Sequence, residues 1–193
     1  MPLGNTQDQY GAVAKTFHWV IALLIIGMLC VGLYMTNDSV HLSMPDKMQI
    51  FGLHKSVGIL VLALASLRLL WRVINEHPIP LPGHQQWERV LAKLVHFLLY
   101  VAMFLMPLTG WIGSSAKGFS VSVFHLFTLP DLVKPSKQLA DLMWGIDGVM
   151  PGAHEIVAYS LIVIIGLHFA GAMKHAVIDR DGTLRRMLPF MKA

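Results

Sequence analysis

The chain carries ten histidines, and several stand inside apolar sequence, where ionisable side chains are rare. The run from His154 to His175, "HEIVAYSLIVIIGLHFAGAMKH", holds three of them. His154 and His168 are fourteen residues apart. At about 100° per residue they fall on nearly one helix face, roughly 21 Å apart along the axis. One face therefore offers two imidazoles at two depths. Two other apolar runs supply partners: His18 at the depth of His168, and His54 at the depth of His154. Two imidazole pairs at two levels are what two stacked bis-histidine haems require. Iron held by two axial imidazoles has no open position, so such sites pass electrons and do not bind oxygen.

The fourteen-residue interval recurs. Gly32 stands fourteen residues from His18, and its missing side chain leaves room for a macrocycle beside His54. Arg68 stands fourteen residues from His54, at the inner level. An intramembrane arginine needs a partner, and a haem propionate would be one. Gly58, one turn from His54, also admits a flat ligand. A single intramembrane histidine is commonly a helix–helix hydrogen-bonding residue, but four at matched depths are hard to obtain by chance. Zinc favours tetrahedral sites and would want more ligands per level. His96 is the competing ligand at the inner level, while His41, His77, His84 and His125 fall in loops and read as surface residues. The lone Cys30 excludes an internal disulfide and a cysteine-ligated cluster.

These residues need apolar helices to position them, and the composition supplies those. The chain has 193 residues, 55% of them hydrophobic and 13% charged, against roughly 25% charged in soluble domains; its mean hydropathy is +0.59. The formal charge of +4 gives no nucleic-acid footprint. Four stretches suit membrane helices of about 20 residues: 17–35, 53–73, 95–116 with Pro107 as an expected kink, and 154–175. The first is too long for a signal peptide and lacks a clear cleavage site. A Pro-rich stretch (Pro78, Pro80, Pro82) precedes the third helix, and a long loop spans 117–153. Trp19, Trp71, Trp111 and Trp144 fall near span ends, as in aromatic belts. Ten of fifteen Lys and Arg, from Lys15 to Lys192, fall on one side. The positive-inside rule then puts both termini and the 176–193 tail in the cytoplasm, and loop 117–153 outside. The expected fold is all-α: one integral membrane domain over 1–193, a four-helix bundle holding two stacked b haems.

"YGAVAKTFHW", "LHKSVGILVLALASLRLLWRV", "HFLLYVAMFLMPLTGW", "HEIVAYSLIVIIGLH" and "KHAVIDRDGTLRRMLP" follow one another in order. With them the chain resembles, over nearly its whole length, the bacterial dihaem cytochrome b561 family, close to the b-type cytochrome subunits of membrane hydrogenases. The resemblance implies two b haems per chain in the bacterial inner membrane, ligated through positions matching His18, His54, His154 and His168. It also implies ubiquinone or another quinone as electron partner near the inner haem. His175 lies seven residues past His168 and roughly 10 Å further along a similar face, where it reads either as a residue exchanging a proton with quinone or as an interfacial histidine bonded to headgroups or to the tail. Lys174 beside it points about 100° away.

The expected function is transmembrane electron transfer between a periplasmic donor and quinone, with superoxide as the donor in some members. Lys55 beside His54 offers a local positive charge and a contact to the cofactor. Against it, the outer segments hold five Lys and six acidic residues, Asp38, Asp46, Asp131, Asp141, Asp147 and Glu155. Rival readings are a cytochrome subunit docking a periplasmic redox protein through the long loop, and a cofactor-free membrane scaffold. Oligomeric state stays open, a homo-oligomer included. No Cys-x-x-Cys-His motif is present, so acid acetone should extract all haem from the purified protein. A pyridine haemochrome assay should return two haems per chain, and a value near one would sink the two-level reading.

Overall fold

The computed structural model describes residues 2–37, 39–81, 83, 85–146 and 149–189. Asp38, Pro82, His84, Asp147 and Lys192 lie outside the described residues. The described chain is mostly helical. Four helices are long and apolar enough to cross a membrane: α1 (Ala12–Met35), α2 (Met44–Ile74), α3 (Gln86–Ala116) and α5 (Ala153–Met173), the last continued by a π-helical turn (Lys174–Asp179). Leucines, valines and phenylalanines such as Leu23, Leu70, Val73, Phe97 and Phe169 stand exposed along them, the surface expected of helices solvated by lipid. Cys30 is exposed too, so it does not pack a core.

α1 begins at Ala12, before the expected Phe17, and two further helices also start earlier than hydropathy suggests. α2 begins at Met44, before the expected Leu53, and α3 at Gln86, before the expected Val95. Capping chemistry explains both. The Ser43 hydroxyl accepts the Asp46 N–H at 3.3 Å, and Glu88 Oε2 accepts the Gln85 N–H at 2.9 Å. These are the two halves of the capping box, in which residues three apart satisfy each other's open groups. The polar first turns that follow are helical although they lie outside the apolar run. α3 runs on through Pro107 to Ala116.

The described chain divides into two compact units, and each takes a segment of every long helix. The first comprises Met1–Ala22, Leu64–Val101 and Val163–Ala193. In it the ends of the chain are tied down by backbone carbonyls. Lys15 Nζ donates to Leu188 O (3.1 Å), Trp19 Nε1 to Met187 O (2.9 Å) and Arg186 Nη1 to Ile79 O (2.6 Å). Asn5 Nδ2 donates to Glu76 O at 2.8 Å. Trp19 is thus a clamp on the tail as well as a residue near a span end. A β-carbon on Gly11 would lie 2.3 Å from Gly4 O, so this fold-back requires glycine.

The second unit comprises Leu23–Ala63 and Ala102–Ile162, and here the long loop has structure of its own. Ser122–Val123 (β1) pairs antiparallel with Phe127–Thr128 (β2). Lys137–Trp144 forms a short helix, α4, capped by Ser136. Gly145–Ile146 (β3) then pairs with Met150–Pro151 (β4). The hairpin turn uses Phe124 and His125 at φ 48° and 58°, conformations that cost a non-glycine residue about 1–3 kcal/mol and persist only where surroundings impose them. Ser56 is what imposes them. It is 2% exposed, accepts the Phe124 N–H at 2.9 Å, and lies 2.9 Å from Gly52 O and 3.1 Å from Ser122 O, to either of which its hydroxyl can donate. Ser115 accepts the Leu132 N–H at 3.2 Å, and Ser114 donates to Phe119 O at 2.7 Å. Ser56→Ala should therefore cost about 1 kcal/mol and release the hairpin. A lower thermal midpoint in detergent and faster proteolysis within 117–136 are the expected readings.

Candidate functional site

Each unit contains a histidine cluster. In the first, α1 supplies His18, α2 Arg68, α3 His96 and α5 His168. The His18 and His168 ring centroids are 6.1 Å apart, and those of His96 and His168 are 5.3 Å apart. A metal about 2 Å from a nitrogen of each of two imidazoles separates their centroids by roughly 6 Å, so the His18–His168 spacing suits a shared metal. Arg68 Nη2 lies 3.1 Å from His18 Nδ1. A guanidinium only donates, so this Nδ1 accepts and the ring proton sits on Nε2. Binding metal through Nε2 would move that proton to Nδ1 and turn Arg68 to another acceptor. Tyr100, four residues after His96 and hence on the same face of α3, places its ring 5.7 Å from the Arg68 guanidinium and 5.5 Å from that of Arg72.

In the second unit α2 supplies His54 and α5 His154. His154 Nδ1 lies 3.0 Å from Thr109 Oγ1. The Thr109 hydroxyl lies 2.9 Å from both Leu105 O and Met106 O, and its one proton goes to these carbonyls. The oxygen must then accept from His154 Nδ1–H, which leaves the Nε2 lone pair for a metal. A hydrogen bond behind a ligating histidine fixes its tautomer and ring orientation in this way. His54 Nδ1 is buried with no hydrogen-bond partner among the described residues. Glycines flank both rings. A β-carbon on Gly32 would lie 3.6 Å from His54 Cε1, and one on Gly110 would lie 3.1 Å from His154 Cε1. The Trp144 ring is 5.1 Å from that of His154 and presses on Gly113, where a β-carbon would meet it at 2.6 Å. Trp144 therefore braces a histidine instead of standing free as a belt residue. Lys55 Nζ lies 5.7 Å from the Phe119 ring centroid.

The structure thus brings together His18, His168 and Arg68 in one unit, and His54, His154 and Gly32 in the other. It adds His96 to the first cluster, nearer His168 than His18 is. Sequence reading missed Tyr100, Thr109, Gly110 and Trp144. Tyr100 was findable by its four-residue spacing from His96, whereas Thr109 and Trp144 depend on helix rotation and on the loop path. His41, His77 and His125 are exposed, as expected of loop residues. His175 belongs to a separate group of charges: its Nδ1 is 2.8 Å from Asp181 Oδ2 and 2.9 Å from Asp179 Oδ2. Lys174 is not isolated from that group, because it pairs with Asp179 and with Glu88, each at 2.6 Å.

Four apolar helices carrying clustered imidazoles, glycine clearances and an arginine define a multi-pass membrane protein whose buried histidines suit a metal-bearing cofactor. Comparison with known proteins identifies which. The profile of the family described as prokaryotic cytochrome b561 matches residues 9–190, and the chain belongs to that family. It is similar to "Cytochrome b561 homolog 2" of Escherichia coli K12, 35% identical over 97% of this chain and 95% of the relative. It is similar to "Cytochrome b561 homolog 1" of the same organism, 28% identical over 91% and 94%. It also resembles "Probable superoxide oxidase CybB" of Yersinia pestis, 25% identical over 94% and 96%. Membership carries b-type haem and transmembrane electron transfer. Gly110→Val should crowd the His154 ring and cost about 1–3 kcal/mol, read as a lower midpoint of thermal unfolding in detergent. Gly27→Val is the control, since a β-carbon at Gly27 meets nothing within 4 Å.

Proposed function

We propose that the chain holds two b haems, and that His54 with His154 ligates one and His18 with His168 the other. The observation that carries this reading is the pairing itself: α5 contributes one histidine to each unit, and a different helix meets it there. The haems, when bound, relay single electrons across the inner membrane between a donor at the outer face and quinone on the cytoplasmic side. The protein's part is to fix the ligands, exclude solvent and balance charge. Thr109 orients His154. Arg68, once its contact with His18 Nδ1 is given up, meets a propionate at the inner level. Gly32 and Gly110 keep the faces of the rings clear. With both termini in the cytoplasm, as the basic residues favour, His175 stands past the inner haem and exchanges protons with quinone.

The donor follows less directly. Likeness to the Yersinia pestis protein supports superoxide, and Lys55 next to His54 gives an anion one local positive charge. The acidic balance of the outer segments opposes steering of an anion by net charge. A redox protein docking on the outer loop is the second reading, and it is favoured by the exposed apolar tip at Phe124, Leu126 and Phe127.

Removal of ligands in pairs tests the assignment. His54→Ala and His154→Ala should each remove the same half of the reduced-minus-oxidised spectrum, and His18→Ala and His168→Ala the other half. Haem content should fall from two per chain to one in every case. Should His96→Ala abolish the inner haem while His18→Ala retains it, α3 and not α1 supplies the ligand. A protein purified without any haem under haem-replete expression would return the reading to a scaffold.

A further inference from the structure

The end of α5 departs from α-helical geometry where its charges gather. Lys174–Asp179 is a π-helical turn, closed by Arg180 at φ 52°, whose N–H donates to His175 O. Such turns bond residue i to i+5 and recur at functional sites. In an α-helix, residues five apart are rotated by about 140°. Here Lys174 and Asp179 meet at 2.6 Å. Asp179 Oδ2 also lies within 2.9 Å of His175 Nδ1, a four-residue spacing that any helical turn allows, and the chain beyond the turn returns Asp181 Oδ2 to 2.8 Å from the same nitrogen. Asp181 is itself fixed, since its Oδ1 accepts the Thr183 N–H at 2.8 Å. Glu88 of α3 completes the group by pairing with Lys174 at 2.6 Å. The side chains of His175, Asp181 and Glu88 are only 16%, 14% and 11% exposed, although each is of a type usually found at the surface. A cation among the aspartates would compete with the Lys174 ammonium, so these groups are not read as a metal site.

Carboxylates only accept when ionised, so His175 carries a proton on Nδ1 and proton exchange falls to Nε2. We propose that Asp181, assisted by Asp179, is a positioning residue for quinone chemistry, and that the π turn and the reversal at Arg180 place Asp181 behind His175, beside Asp179. The proposal rests on the reading that His175 serves quinone. Reduction of a quinone to a quinol takes two electrons, arriving singly from reduced haem, and two protons. For each proton the Nε2–H bond of the imidazolium breaks as a quinone O–H bond forms. The ring is left neutral with its proton on Nδ1, and water on the cytoplasmic side restores Nε2–H before the second transfer. Without the carboxylates the neutral ring can put its proton on Nε2 instead, the fault seen when the carboxylate behind a catalytic histidine is replaced by an amide. Among the described residues, Lys174, Asp179 and Asp181 from its own turn and Glu88 from α3 are charged groups near this histidine, so any pH profile reports on them together.

The test uses the haem-loaded full chain in detergent, reduced with dithionite and mixed with decylubiquinone between about pH 5 and pH 8, where histidine titrates. His175→Ala should keep both haems and slow their reoxidation by about 10²-fold. Asp181→Asn should also keep both haems, slow reoxidation by about 10-fold or more and displace the pH profile, whereas Asp181→Glu should recover most of the rate. Nitrogen-15 histidine spectra, with the His175 signal identified by its loss in His175→Ala, should show Nδ1–H in the wild type. They should show a tautomer mixture in Asp181→Asn and more so in the Asp179→Asn/Asp181→Asn pair. If His175→Ala is slow but the Asn variants keep the wild-type rate, profile and tautomer, the positioning role fails and the quinone reading stands. If His175→Ala reoxidises at the wild-type rate, the quinone reading fails and the proposal falls with it. Loss of the inner haem in Asp181→Asn and Asp181→Glu alike would make Asp181 part of the haem site and overturn the proposal.

Discussion

An imidazole inside a lipid-solvated helix has to be held by something, because no water is there to satisfy its nitrogens. That constraint organises the interior of this protein. His154 donates its Nδ1–H to Thr109, His18 Nδ1 accepts from Arg68, and His175 sits between two carboxylates. In each case the partner occupies Nδ1. Among the described residues His54 alone of the intramembrane histidines has an Nδ1 that is buried and orphaned. Burial without a partner costs about 1–3 kcal/mol, a cost that persists where the group is positioned for a different role. On the assignment proposed above, that role is ligation through the opposite nitrogen, with the backbone clearance of Gly32 beside it.

Support for the clusters comes from ends and loops as much as from helices. In one unit the N-terminal residues and the 183–189 tail are fastened by Lys15, Trp19 and Arg186 to main-chain carbonyls. In the other, three buried serines fasten the long loop to α2 and α3. Ser56 directly follows His54 and Lys55, so the residue that holds the strained hairpin turn is in covalent register with a candidate ligand. Trp144 does similar work from α4, filling the space beside Gly113 and bracing His154. Each device uses a small or polar residue where an apolar one would fit lipid equally well, which marks these positions as built for placement.

Much of this was legible in the chain. Apolar length fixed the number of long helices, the fourteen-residue interval put His154 and His168 on one face, and matched depth added His18 and His54 as candidates. The helix starts at Met44 and Gln86 were legible too, in Ser43-x-x-Asp46 and Gln85-x-x-Glu88, but a hydropathy reading looks past polar first turns. What could not be read depends on tertiary placement. Nothing local says that "SVSVFHLFTLP" pairs as a hairpin, since its turn relies on Ser56, 68 residues away from Phe124. Nor does local sequence reveal that α5 widens into a π turn. A regular helix separates Lys174 from the carboxylates near His175, and the wider turn joins them.

The remaining ambiguity, His96, has an argument in the division of labour among helices. In the second unit α5 offers His154, α2 offers His54, and α3 contributes the supporting Thr109. In the first unit α5 offers His168 and α1 offers His18, and α3 again approaches the α5 histidine, this time with His96. The His96–His168 centroids are 5.3 Å apart, shorter than the roughly 6 Å set by a metal held between two opposed imidazoles, while the 6.1 Å of His18–His168 is close to it. Both pairs meet edge-on, at 63° and 64° between ring planes, so distance alone separates them. On the assignment proposed above α3 is the supporting helix in both clusters, and Tyr100, on the same face as His96, extends its support to Arg68 and Arg72.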